Sequence, residues 1–277
     1  MINVITPEKL FRLVGLPTAP AIIDVRAPHA VVTNAVLIPG AVWRDAGAAA
    51  DWASEYRGRA TVVVCADGHE ASQGVAAWLR QSGSPSEVLE GGLEAWTQAA
   101  LPLVAQAALP PRDPQGRTVW VTRARPKVDR IACPWLIRRF VDPNAVFLYV
   151  PTAEVIGVAA RHRAAAFDID SPEAAFGHSG ERCTFDTMLT AFGLDGIGPL
   201  TRLAAIVRGA DTARPDLALE AAGLLAVSLG LSRMFADDIE QLDAGLTVYD
   251  ALYRWSRDAA DEVHNWTSHQ PAAKARK

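Results

Sequence analysis

Short apolar runs alternate with helically spaced apolar residues through the first hundred positions. Ala21–Val25 (AIIDV), Ala60–Cys65 (ATVVVC) and Glu87–Leu89 read as strands, and Gln73–Arg80 keeps its apolar residues on one face of a helix. Val62, Val63 and Val64 are continuously apolar, as a strand covered on both faces requires, so the pattern predicts an α/β unit on a parallel sheet. Thr118–Thr122, Val146–Val150 and Ala165–Ile169 are three further candidate strands. Beyond Leu194 the period becomes helical over Leu200–Ala210, Asp216–Leu229 and Ser232–Trp255. The second unit is therefore expected to be α+β and mainly helical.

Between the two units the periodicity lapses around Pro102, Pro110, Pro111 and Pro114. The expected organisation is a first domain over 1–104, a linker over 105–117, a second domain over 118–258 and a frayed tail over 259–277. A length of 277 residues agrees with two domains. Half the residues are hydrophobic and 21% are charged, which excludes a disordered or fibrous chain. The longest weakly polar stretch, Ala221–Leu231, falls short of the roughly 20 residues of a membrane span. With no basic and apolar leader at Met1–Leu10, a cytoplasmic location is expected and no membrane partner.

Charge is distributed unevenly. The net of -4 gives no reason to expect a nucleic-acid partner. Residues 112–139, however, carry eight basic side chains against two acidic ones, and residues 140–273 carry nine against nineteen. Arg123, Arg125, Lys127 and Arg130 stand at the start of a predicted helix, where cations and free backbone amides would together suit a tetrahedral oxyanion such as chromate or sulfate. The bland alternative is a solvated basic face paired with the acidic remainder. Pro134 cannot donate to the carbonyl four residues back and should start or kink the helix near Arg130.

Three separated cysteines, Cys65, Cys133 and Cys183, argue against a disulfide framework. Cys65 ends an apolar strand and opens the run C-A-D-G-H-E-A-S, with Ser72 suited to cap the next helix. A strand-to-helix turn offers free amides and the positive end of a helix dipole, which favour an anionic sulfur and an anionic ligand beside it. A buried cysteine at a strand end is the alternative. Asp129, Cys133, His178, Glu181 and Cys183 are candidate metal ligands in the second unit, although their spacing matches no known metal motif and buried structural polar groups would read the same way.

Four ordered motifs tie the first unit to a family. Ile22-Ile23-Asp24-Val25-Arg26, Ile38-Pro39-Gly40-Ala41, Cys65-Ala66-Asp67-Gly68 and Glu90-Gly91-Gly92-Leu93-Glu94-Ala95-Trp96 resemble the rhodanese family. The resemblance implies a small doubly wound α/β domain that needs no cofactor. It also implies that Cys65 takes up a sulfane sulfur as a persulfide, between a small sulfur donor and a thiol acceptor, inside the loop Ala66, Asp67, Gly68, His69, Glu70 and Ala71. The six-residue loop from Cys65 to Glu70 is similar to that of sulfur-handling members. Asp24 and Arg26 are expected to buttress the fold. Thiosulfate-using members often place Arg or Lys in this loop; Asp67 and Glu70 would instead repel a dianionic donor.

The second unit, through WVTRARPKVDRIACPWLIRRFVDP, FGHSGERCTFD, Glu220–Leu224 and Tyr249–Tyr253, resembles the C-terminal domain of the ChrB family of chromate-resistance proteins. That resemblance implies a role in chromate or oxyanion stress. Two function classes follow. One is a sulfurtransferase-type enzyme fused to a chromate-resistance domain; the other is a non-enzymatic chromate or sulfate sensor with a redox-sensitive thiol. Direct reduction of chromate by a cysteine is a third route, and no flavin, haem or nicotinamide fingerprint accompanies it.

Overall fold

Residues 3–262 are described by a computed structural model. In chain order the first half runs β1 (Val4–Ile5), α1 (Pro7–Phe11), β2 (Ala21–Asp24), α2 (Pro28–Thr33), β3 (Val36–Leu37), β4 (Ala41–Trp43), α3 (Ala49–Trp52), β5 (Thr61–Val64), α4 (Glu70–Gln81), β6 (Ser86–Leu89), α5 (Gly92–Gln98) and β7 (Val104–Ala105). Five strands form one parallel sheet in the order β1-β6-β5-β2-β4. Every residue of β2 and β5 is buried, because alternate side chains feed two different layers. Ile22, Val62 and Val64 meet Leu10 of α1 and Leu93 and Trp96 of α5. Ile23, Val63 and Cys65 meet Trp52 of α3 and Val75 and Leu79 of α4. This is the α/β unit on a parallel sheet that the alternating pattern predicts, with helices on both faces as the family resemblance implies.

The second half runs β8 (Val119–Arg123), α6 (Asp129–Leu136), β9 (Val146–Val150), α7 (Val155–His162), β10 (Ala165–Ala166), α8 (Thr184–Ala191), α9 (Gly198–Asp211), α10 (Ala221–Met234) and α11 (Asp238–Asp258). A small parallel sheet, β10-β8-β9, is set among the helices, and the region is mainly helical. Three sequence expectations shift here. The strand expected over Ala165–Ile169 stops at Ala166, because the chain turns at Asp168 with φ of 52°. Helix is expected from Asp216 but starts at Ala221, after a 3-10 turn at Pro215–Leu217. The helix expected from Ser232 is cut at Phe235–Asp237: Arg125 donates to the carbonyls of Ser232 and Phe235, and Asp237 accepts from the amides of Ile239 and Glu240 to start α11.

Pro134 lies inside α6, which begins at Asp129. The Arg130 carbonyl that proline leaves without a helical donor accepts the Tyr149 hydroxyl at 2.9 Å, and the helix continues past Leu136 as a π-helical turn over Ile137–Val141. One hydrophobic core joins the α1/α5 side of the first sheet to Trp120, Trp135 and Phe140. Gly15, at φ of 80°, lies against Phe140 so closely that an added Cβ would stand 2.2 Å from the ring, and the Gly40 amide donates to the Phe140 carbonyl at 2.7 Å. The proline-rich connection is correspondingly packed: β7 pairs antiparallel with β3, and Leu101, Leu103 and Leu109 lie against the core. The tail expected over 259–277 falls, beyond residue 262, outside the described residues. Among the described residues no helix is long and apolar enough to cross a membrane.

Candidate functional site

Cys65 follows β5 directly and lines a cavity with Val25, Arg26, Ala27 and Ala30 on one side and Ala66, Asp67, His69, Glu70 and Ala71 of its own loop on the other. The residue is only 4% exposed, so access to the sulfur is through that cavity. Three groups reach Sγ: the Gly68 amide at 3.2 Å, the Ser72 hydroxyl at 3.1 Å and the Asp67 carboxylate at 3.3 Å. Gly68 is required twice over. Its φ is 79°, and a Cβ would stand 2.7 Å from the Leu89 carbonyl oxygen. The free amides at the start of α5 hold the loop from behind, Leu93 donating to the Cys65 carbonyl at 2.9 Å and Glu94 to the Ala66 carbonyl at 3.0 Å. Gly92 permits that approach, since a Cβ there would lie 2.5 Å from the Ala66 oxygen.

Two expectations for this loop need correction. Ser72 does not cap α4; the helix starts at Glu70, and Ser72, fully buried in its first turn, places its hydroxyl between the Cys65 sulfur and the His69 carbonyl. Nor do several loop amides converge on the sulfur. Gly68 alone among them reaches it, while the His69 amide goes to Asp67 at 3.0 Å. That amide, followed by the Cys65 thiol, holds the Asp67 carboxyl below the usual range. A negative charge thus stands beside the sulfur, and the His69 and Glu70 side chains are exposed. Asp24 and Arg26 pair in the buried layer next to the cavity. Arg26 also donates to the Asn34 and Val36 carbonyls, which fits buttressing.

A second cluster lies in the C-terminal half. Asp129 opens α6, Asp168 follows β10, His178 stands in the loop before α8, and Asp211 ends α9. His178 Nε2 lies 3.7 Å from Asp129, 3.5 Å from Asp168 and 3.1 Å from Asp211. Asp129 is fully buried; its Oδ2 accepts the first amides of α8, Thr184 at 2.6 Å and Phe185 at 3.3 Å. Its Oδ1 has no hydrogen-bond partner among the described residues. Burial, then the charges of Asp211 and Asp168, push the Asp129 carboxyl well up. Burial opposes the charge of Asp168 too, but there hydrogen bonds from His178 and Thr184, with Arg130 and Arg123 nearby, hold the carboxyl low. A hydrogen bond to Asp168 comes first in raising His178 to about 9, against its partial burial.

Residues 6–99 match the rhodanese-like domain family, and residues 120–256 match the family described as ChrB, C-terminal domain. The chain joins a rhodanese-like domain to a ChrB C-terminal domain. Protein ChrB of Cupriavidus metallidurans is 40% identical over 148 residues, which is 52% of this chain and 43% of that protein. The chain thus spans less than half the length of the curated relative it matches. Among solved structures, a rhodanese-related protein from Thermoplasma volcanium is 23% identical, covering 37% of this chain and 97% of its own at a TM-score of 0.33. A thiosulfate sulfurtransferase from Pseudomonas aeruginosa is also 23% identical, covering 37% of this chain and 19% of its own, with a TM-score of 0.33.

In the ChrB domain the structure redistributes the residues singled out from sequence. The four cations do not converge. Arg125 turns away to close the end of α10, and Lys127 is exposed. Arg123 and Arg130 meet at Asp168, at 3.9 and 3.2 Å. Of the candidate ligands, Asp129 and His178 do come together, and Cys133, Glu181 and Cys183 are not part of the cluster. Glu181 is exposed beside Arg182, Arg208 and Arg214. Cys133 is sealed in the core, and Cys183 Sγ contacts Asp186; burial, followed by the charge of Asp129, pushes both thiols up and away from the thiolate a metal would need. Asp168 and Asp211 take their places. Asp168 lies within the segment Ala165–Ile169 that the sequence marks as a strand, and no sequence signal marks Asp211.

Proposed function

We propose that this protein is a rhodanese-type sulfurtransferase acting in the cytoplasm, fused to a ChrB C-terminal domain and serving chromate or oxyanion stress. The observation that carries the reading is that Cys65 lines an accessible cavity, with its sulfur within hydrogen-bond distance of the Gly68 amide and the Ser72 hydroxyl. A thiolate there accepts from both groups, and no other cysteine of the chain has such surroundings. In the first half-reaction the Cys65 thiolate attacks the terminal sulfane sulfur of the donor. The donor's S–S bond breaks, its remaining sulfur leaves with the electron pair, and Cys65 keeps the transferred sulfur as a persulfide. In the second, an acceptor thiolate attacks that outer sulfur and the Cys65 thiolate returns.

Asp67 narrows the donor class. A fixed carboxylate 3.3 Å from Sγ disfavours a dianion such as thiosulfate and favours a neutral or singly charged organic persulfide. No cofactor enters this chemistry. Intact-mass measurement after exposure to an organic persulfide tests the reading: the wild type gains one sulfur atom and Cys65→Ser gains none. Equal gain in both proteins refutes it.

A further inference from the structure

We propose that Asp129, Asp168, His178 and Asp211 bind a divalent first-row transition cation. The decisive feature is the Asp129 carboxylate. It is wholly buried; Oδ2, the oxygen 3.7 Å from His178, is held by the α8 amides, and Oδ1 has no hydrogen-bond partner among the described residues. A buried carboxylate in that condition has to take up a proton or a cation, since an unpaired charge out of water is strongly disfavoured.

Geometry favours the cation. Asp129, Asp168 and His178 each present one ligand atom, all within 4.8 Å of one another, and Asp211 adds a carboxylate oxygen 3.1 Å from the imidazole. Ligand atoms at about 2.1 Å from a common metal lie roughly 3 to 4 Å apart, so the three closest groups must draw in by up to about an ångström, and Asp211 joins them from the far side of the imidazole. Charge agrees. Arg130 and Arg123 both pair with Asp168, at 3.2 and 3.9 Å, and neither Asp129 nor Asp211 pairs with an arginine among the described residues. A dication supplies the positive charge that those two carboxylates lack.

The donor set also selects the ion. Three carboxylate oxygens and one imidazole suit Mn2+ or Fe2+, with Zn2+ a competitor, and both nearby thiols are excluded by burial. The supports are rigid. Asp168 is fixed by the Thr184 hydroxyl at 2.9 Å and by Arg130, and the backbone holds Val128 and Asp168 at φ of 36° and 52° immediately beside or at the ligands. The imidazole is nearly half exposed on a cavity shared with Arg123 and Ser171, which leaves a route for the ion and open coordination positions.

The test uses the full chain, stripped with a chelator and titrated with Mn2+, following the free-ion electron paramagnetic resonance signal, and with Zn2+ by calorimetry; Mg2+ is the control ion. One saturable equivalent of Mn2+ or Zn2+ is expected, with affinity at least tenfold above Mg2+. His178→Ala and Asp211→Asn are each expected to weaken it at least tenfold while far-ultraviolet circular dichroism is unchanged. His178→Gln keeps a polar side chain in the loop and serves if the alanine variant unfolds. Absence of saturable binding in the wild type, or binding unchanged in both the His178 and Asp211 variants, overturns the site. Cys65→Ser is expected to bind the ion as the wild type does, which separates this proposal from the sulfur chemistry.

Discussion

Replacing Ser72 by alanine isolates what the protein does for the Cys65 sulfur. The hydroxyl is fully buried, 3.1 Å from Sγ and 3.1 Å from the His69 carbonyl, and it has one proton to give. With Cys65 as a thiol, that proton goes to His69 and the S–H points at Ser72 or Asp67. With Cys65 as a thiolate, the hydroxyl turns to the sulfur. His69 loses little by this, because its carbonyl also accepts the Gln73 amide at 2.9 Å. Deleting the hydroxyl therefore leaves no orphaned backbone group, and the cost to folding should stay near 1 kcal/mol. The thiolate, in contrast, loses one of its two close donors. A hydrogen bond to a charged group contributes about 1.5–3 kcal/mol, which at tenfold per 1.4 kcal/mol lowers the rate of persulfide formation by roughly 10- to 150-fold at fixed pH. Single-turnover mass measurement with excess donor reads that rate, and denaturant unfolding reads the stability. A Ser72→Ala protein within twofold of the wild type would refute the idea that this hydroxyl supports the reactive sulfur.

Three further outcomes are expected. Asp67→Asn should raise the rate with thiosulfate more than the rate with a neutral persulfide, and added salt should shrink the difference, because the carboxylate acts on the donor's charge. Gly15→Ala should cost about 1–2 kcal/mol for the left-handed backbone and about 1–3 kcal/mol more for crowding Phe140, lowering the urea midpoint of both halves together if their core is one unit. In metal-free protein His178 has its folded pKa raised to about 9 from 6.5; its stabilising contribution is complete below pH 6.5 and is lost as pH rises through about 9. Since the ring is nearly half exposed, that loss should be at most about 1 kcal/mol, and His178→Ala should abolish it in pH-dependent unfolding.

The first half of the fold was legible because its signals are local. Val62–Val64 announces a strand covered on both sides, and Cys65 to Ala71 follow it directly; spacing alone leaves a buried cysteine open there, and the four ordered motifs of the rhodanese resemblance single out the loop. Ser72 suits a helix cap by sequence, but α4 starts at Glu70, three residues before Gln73, which turns the supposed cap toward the sulfur. In the second half the relevant contacts are long-range. The break before α11 is enforced by Arg125, more than a hundred residues away, and the same engagement removes Arg125 from the expected anion site. Asp211 ends an ordinary amphipathic helix and becomes chemically interesting only because the fold brings it to His178. Cys133 and Cys183 behave as small apolar residues in a core, which residue type alone does not reveal.

On the proposed reading, sulfur passes through Cys65 and through no other cysteine. That reading is tested most directly by following sulfane transfer from an organic persulfide to a thiol acceptor in three proteins: wild type, Cys65→Ser and the Cys133→Ser, Cys183→Ser double variant. The double variant should keep turnover near that of the wild type, and Cys65→Ser should fall to the uncatalysed rate. Turnover that survives in Cys65→Ser and vanishes in the double variant would contradict the account.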